Sequence, residues 1–180
     1  RDGMRPARLL PLLLVSLVLP ACAARQVRPE GSIRKVVVVA GSRVDVLPTG
    51  TFRQDIIGES NPRTVLARQT EAELLSRGFE VVATRQSQAP VPLTDEVSSF
   101  VQQNKAEAAV VVILDWLDVS GATVLGRVDV VLRLGMVDPN GQVLWTDTFR
   151  SQPVVSAYQS ATDWNSFLRR AVIDAVQVVP

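Results

Sequence analysis

The chain has 180 residues and a mass of 19.6 kDa, with 19 basic and 18 acidic residues, one cysteine and no histidine. A chain of this size holds about one domain and buries its own core without disulfides, which one Cys could not supply internally. Without His there is no Ser-His-Asp or Cys-His nucleophile system and no HExxH zinc site, without a second Cys there is no thiolate metal cluster, and a net charge of +1 gives no electrostatic footprint for nucleic acid.

The N-terminus reads as an address. Arg5 and Arg8 precede an apolar run from Leu9 to Leu19, the n-region and h-region of a secretory signal peptide. The run is 11 residues long, short of the roughly 20 that a spanning helix needs. It ends at Leu19, Pro20 and Ala21, immediately before Cys22. This stretch resembles the lipobox of bacterial lipoproteins, although Pro20 is an unusual occupant of its position. The resemblance implies cleavage before Cys22, a diacylglyceryl group on its sulfur and a further acyl chain, such as palmitate, on the new amine. Several chains make a firm anchor, because each buried methylene adds its own increment. The competing reading is that Cys22 is a free thiol on an uncleaved segment. Cleavage leaves 16 basic and 17 acidic residues, so the basic balance belongs to the precursor. Ala23, rather than Asp, follows Cys22, so nothing resembles the inner-membrane retention signal of enteric bacteria. The expected location is therefore the outer membrane, periplasmic face, lipid-anchored. Residues 22–32 then form the acylated Cys and a short polar tether, and residues 33–180 a periplasmic domain.

Ile33–Ala40 contains four consecutive valines, the pattern of a strand buried on both faces, expected at the centre of the sheet. Residues 41–60 break all periodicity with three Gly and one Pro, and carry Phe52, Ile56 and Ile57. A connection of this length is usually functional. The three apolar side chains either cap the core or form a contact surface. Asn61-Pro62 starts a helix reaching about Arg77 and stopping at Gly78. Its core face is expected at Val65, Ala72 and Leu75, flanked by Leu66 and Leu74. Phe79–Thr84 is a second strand. Thr94 is expected to cap a short helix that carries Asp95 and Glu96 in its first turn and Val97, Phe100 and Val101 on its apolar face.

Ala108–Val119 is a third, nearly continuous apolar strand. Residues 122–137 alternate, with Val128, Val130, Leu132, Leu134 and Met136 on one face and Arg127, Asp129 and Arg133 on the other. Asp138-Pro139-Asn140-Gly141 has turn chemistry and lacks the alternating acidic ligands of a calcium loop. Gln142–Gln152 returns as a fifth strand, completing an antiparallel meander. Ser160–Val179 places Trp164, Phe167, Leu168, Ala171, Val172, Ala175, Val176 and Val179 at helical spacing. The expected fold is a single α+β domain with a mixed β-sheet, in the order β-α-β-α-β-β-β-α, with helices packed on one face.

Little in the mature chain points to catalysis. Asp115, Asp118, Asp129, Asp138 and Asp147 each sit singly beside a strand end, a turn or a polar face, which favours solvated or ion-paired surface over acid/base work or cation binding. The glycines at 41, 50 and 58 make no phosphate-binding pattern. Trp116, Trp145 and Trp164 read as core or sheet anchors rather than a ligand cage. The polar sheet face, with Val131 set between Arg127, Asp129 and Arg133, mixes charge with apolar surface as protein contacts do; an ordinary solvated face is the alternative.

The segments KAEAAVVVILDWLDV (105–119) and VDPNGQVLW (137–145) carry a family likeness. Together with the element order over residues 33–179, they resemble the outer-membrane lipoproteins of the curli-channel, penicillin-binding-protein-activator and Pel-export superfamily. The resemblance implies a non-enzymatic lipoprotein without metal or cofactor, which binds other envelope proteins and often forms rings of identical subunits. No pair of alternating segments is spare for the membrane-spanning hairpins of the curli channel. The expected function is thus a structural or assembly subunit of an envelope secretion or export complex, acting by self-association through the 41–60 loop and the sheet edges. Two alternatives stand beside it. One is a monomeric activator or adaptor of a peptidoglycan synthase or transporter, for which the tether is short; the other is a small-ligand carrier with a pocket among Asp115, Asp129 and Trp145.

Overall fold

The computed structural model describes residues 32–44, 61–118, 128–152 and 164–180. The elements run β1 (Lys35–Ser42), α1 (Pro62–Ser76), β2 (Glu80–Gln86), α2 (Thr94–Gln103), β3 (Ala108–Asp118), β4 (Asp129–Val137), β5 (Val143–Ser151) and α3 (Trp164–Val176). They form one five-stranded mixed sheet in the order β2-β1-β3-β4-β5. β1 is parallel to β2 and β3, while β3, β4 and β5 form the expected antiparallel meander. The α+β class and element order are those expected. The central strand is β3; β1, expected there, lies one place over and is an interior strand.

The caps follow from local chemistry. Asn61 accepts the Arg63 N–H at 3.0 Å, and Pro62 occupies a helical position that needs no donor. At the other end Gly78 takes φ 86. The Phe79 N–H then reaches the Leu74 carbonyl and the Gly78 N–H the Leu75 carbonyl, each at 3.1 Å, closing the helix in a Schellman turn. α2 departs from expectation: Leu93 occupies its N-cap without a side-chain bond, and Thr94 is the first helical residue. Asp95 and Glu96 in the first turn still complement the helix dipole.

One face of the sheet, built from Val36, Val38, Ala40, Val110, Val112, Leu114, Val130, Leu132, Leu134 and Met136, is buried under α1 and α3. The opposite face, from Val37, Val39, Ala109, Val111 and Ile113, is covered by Val97, Phe100 and Val101 of α2. The expectation that the helices share one face therefore holds for α1 and α3 and fails for α2. Chain topology supplies the reason. The β1-α1-β2 crossover steps one way along the sheet and β2-α2-β3 steps back over β1, so connections of one hand put their helices on opposite faces.

The buried side of α1 is also rotated from expectation. Leu66, Ala67, Thr70 and Leu74 are buried, whereas Ala72 and Leu75 are exposed. Thr70 is fully buried, and its hydroxyl has no hydrogen-bond partner among the described residues. Thr70→Val keeps the shape and removes the unpaired group, so a gain of about 1 kcal/mol is expected. Thermal melts should rise by roughly 2–4 °C; a fall would show that the hydroxyl is satisfied in solution.

The entry to β1 is held by Glu107. Its Oε2 accepts the Arg34 and Lys35 N–H groups at 2.6 and 2.8 Å, and its own N–H reaches the Lys35 carbonyl at 2.8 Å. The Lys35 and Arg34 N–H groups hold the carboxyl below its ordinary range. A depressed folded-state pKa contributes stability that is complete above the unfolded value, near pH 4–5, and is lost as pH falls through the folded one. Glu107→Gln should accordingly be less stable than the parent at pH 7. Denaturant titrations across pH should show the difference closing in acid; a constant difference would assign it to shape alone.

Candidate functional site

Two bulges shape the open end of the sheet. The β3–β4 register shifts by one between Leu114 and Trp116, so β3 carries an extra residue at Asp115. The sequence signals this through Leu114 and Leu117, buried on one face at a spacing of three rather than two. The β4–β5 register shifts between Met136 and Val137, where Leu144 is the extra residue. The β4–β5 connection is the turn expected: Asp138 Oδ1 accepts the Asn140 and Gln142 N–H groups at 2.8 Å, and Gly141 takes φ 83.

Asp129, Val131 and Arg133 lie on the β4 face opposite α1 and α3, as the alternation requires, and the structure brings them together with partners from three strands. Arg133 holds Asp115 with a two-pronged guanidinium, Nε at 3.0 Å and Nη2 at 2.8 Å. Arg43, just beyond β1, reaches the same carboxylate through Nε at 3.0 Å. The cluster is two cations on one anion, a net positive charge beside the bulge. Asp129 accepts from Gln152 Nε2 at 2.6 Å and faces Arg150 Nη2 at 3.8 Å. Val131 stands opposite Arg150 and separates the two ion-pair groups.

Asp118 lies directly opposite Asp129, so two carboxylates do share a register that their sequence spacing did not show. Both are engaged in polar interactions. Among the described residues, no three acidic, His or Cys side chains gather where they could hold a metal ion. Asp138 and Asp147 accept N–H groups within their own turn or strand. The grouping of Asp115, Asp129 and Trp145 around one pocket is overturned. Trp145 pairs with Met136 and packs on the core under α1 and α3, while the two carboxylates lie on the other face. Trp116, expected as an anchor, is 57% exposed, displaced by the bulge. Cys22 with Leu19, Pro20 and Ala21, the loop residues Phe52, Ile56 and Ile57, Arg127 and the Trp164 side chain lie outside the described residues.

α2 packs mainly on β1 and β3 and reaches the β4–β5 turn through Gln102, which donates to the Pro139 carbonyl at 2.6 Å; among the described residues no helix covers the rest of β4 and β5 on this face, which forms an open wing. At the border lies an open cleft of about 150 Å³. Pro92, Thr94 and Val97 wall it, and Ile113, Gly135 and Thr146 floor it, with Arg133 at its rim. Sequence reasoning missed Gly135, an isolated glycine inside a strand pattern, which signals a bulge or a close approach. The free side of β5 is the sheet's outer edge, and it exposes Val143 (58%) and Leu144 (46%).

The site is thus an exposed mixed sheet face with an edge strand and a shallow cleft. In comparisons with known proteins, no family model matches the chain and no curated protein matches it. Its fold is similar to that of the hypothetical protein CT253 from Chlamydia trachomatis, with a TM-score of 0.52 at 12% identity, covering 80% of this chain and 96% of that one. It is also similar to the PelC dodecamer from Paraburkholderia phytofirmans, with a TM-score of 0.44 at 14% identity, covering 81% of this chain and 89% of that one. Lipoprotein GNA1162 from Neisseria meningitidis gives 0.41 at 14% identity, covering 81% and 99%. At these identities the CT253 likeness is one of fold.

Proposed function

We propose that the chain is a non-enzymatic lipoprotein subunit of an envelope assembly, anchored in the outer membrane through Cys22 and acting by contact with other copies of itself and with partner proteins. The observation that carries this reading is the β4–β5 wing, which no described helix covers on the α2 side. It combines an open edge strand, the exposed Trp116, Val143 and Leu144, and paired charges in one surface. Apolar residues interleaved with satisfied ion pairs suit a protein interface, whereas an unprotected edge strand is a liability for a chain that works alone. The lipobox pattern supports the anchor, and the sequence resemblance to assembly lipoproteins supports the role.

The mass of the detergent-extracted protein, measured by light scattering beside a soluble form starting at Ala23, tests the reading. A defined oligomer that Leu144→Lys converts to monomer, without a change in melting temperature, is the expected result. Monomers in both forms would rule out self-association. Mass spectrometry of the N-terminal peptide tests the anchor, and an unmodified Cys22 would remove it.

A further inference from the structure

We infer that the cleft at Gly135 is a side-chain pocket for an extended partner polypeptide that adds as a strand to the open edge of β5 and presents a bulky apolar residue with an acidic one near it. The inference rests on the interface reading above and names the chemistry of the partner. Three observations carry it.

The first is Gly135 itself. Mid-strand glycine weakens a strand, and this one is needed by neither backbone nor packing. Its φ is not left-handed, as those of Gly78 and Gly141 are. A Cβ built there would meet only the Trp145 carbonyl, at an ordinary 3.5 Å. What the missing side chain does is open the cleft floor, and close approach of another chain is a recurrent reason for such a glycine.

The second is size. Small-molecule sites usually enclose about 300–1,000 Å³. A cleft of about 150 Å³ that opens to solvent falls short of that and matches one anchor side chain instead. A cavity of roughly this volume accommodates a benzene ring.

The third is access and charge. Gly135 pairs in register with Thr146 of β5, whose short side chain lines the cleft without closing it. A strand added to β5 would lie about 4.8 Å further out. A leucine or phenylalanine opposite Thr146 could then lean across it to Gly135. The rim carries Arg133, with Arg43 sharing its Asp115, and Arg150 lies further along the same face. Arg133 Nη1 has no partner among the described residues. An acidic residue two places from the anchor, on the Thr148 side where Arg133 pairs, would meet these cations. Strand addition supplies backbone hydrogen bonds, and a pocket for an alternate side chain supplies selectivity.

The test is fluorescence anisotropy with the full chain and a labelled strand peptide, Thr-Glu-Val-Phe-Val-Glu-Thr. Binding should weaken at least tenfold when the central Phe is replaced by Ala, and at least fivefold when both Glu are replaced by Lys. Gly135→Val should lower affinity at least tenfold, and Gly135→Ala less. Thermal melts of both variants keep the reading independent of misfolding, since the alanine fits the existing space. Equal binding to the parent and Gly135→Ala and Gly135→Val, or no binding to the parent, would overturn the inference. So would phenylalanine amide binding as tightly as the peptide, which would make the cleft a small-molecule site. Loss of self-association in Gly135→Val without any peptide binding would assign the cleft to a second copy and also overturn it. An oligomer that persists while peptide binding fails removes only this inference, whereas peptide binding by a monomer removes only the self-association reading.

Discussion

Gly41→Ala should lower the melting temperature by about 5–10 °C, whereas Gly135→Ala, in the same sheet, should leave it nearly unchanged. Both residues face the α2 side, Gly41 near the end of β1 and Gly135 in the middle of β4. A Cβ at Gly41 would stand 2.8 Å from the Pro90 carbonyl oxygen and 2.8 Å from Pro92 Cδ. Neither contact can yield by a rotamer change, because one atom is backbone and the other belongs to a ring. The link from β2 to α2 would have to lift, and α2 with it. Overpacking of this kind costs about 1–3 kcal/mol, and a domain of this size loses roughly 2–4 °C per kcal/mol. Gly41→Val should be worse. Hydrogen exchange at Val97–Val101 localises the effect: those amides should lose protection while the α1 and α3 layer keeps its own. Unchanged stability in Gly41→Ala would mean that the proline link does not rest on β1 in solution.

How the link came to lie there also shows where sequence reading succeeds and where it stops. The run Val36–Val39 announces a strand covered on both sides, and it is. The pattern does not say what covers each side. That depends on the strand order, which places β2 and β3 on either side of β1 and so sends α1 and α2 to opposite faces. The core face of α1 was ambiguous for a related reason. Its apolar residues are spread around the helix, and contact with both the sheet and α3 buries even Thr64 and Thr70. The meander and its Asp138–Gly141 turn were legible because strand alternation and turn chemistry are local. The charge arrangement was legible only in part. Alternation placed Asp129, Val131 and Arg133 on one face, but Asp115 joins them through a bulge and Arg43 through the parallel pairing of β1 with β3, both long-range facts.

Arg77→Met is expected to destabilise the domain by about 2–3 kcal/mol and to release the end of α3. Arg77 is the C-cap residue of α1, yet its guanidinium reaches across to α3, donating Nη1 to the Val176 carbonyl and Nη2 to the Val179 carbonyl at 2.7 Å. Val176 is the last residue of α3 and Val179 follows it, and a cation at a helix C-terminus complements the dipole. Burial lowers the pKa of the guanidinium, which records the desolvation cost that these bonds offset. The ring of Phe79 lies 5.9 Å away, close enough to add a cation–π contribution. Hydrogen bonds from charged donors contribute about 1.5–3 kcal/mol. Methionine keeps the apolar stem and removes both donors, so the loss measures the polar link rather than packing. Arg77→Lys, with a single point donor in place of a fork, should fall between the two. Chemical denaturation supplies the magnitude, and hydrogen exchange at the amides of Ala175–Val179 supplies the location. If those amides exchange at the parent rate in Arg77→Met, α3 is held by its apolar face alone, and the tie between the ends of α1 and α3 contributes nothing.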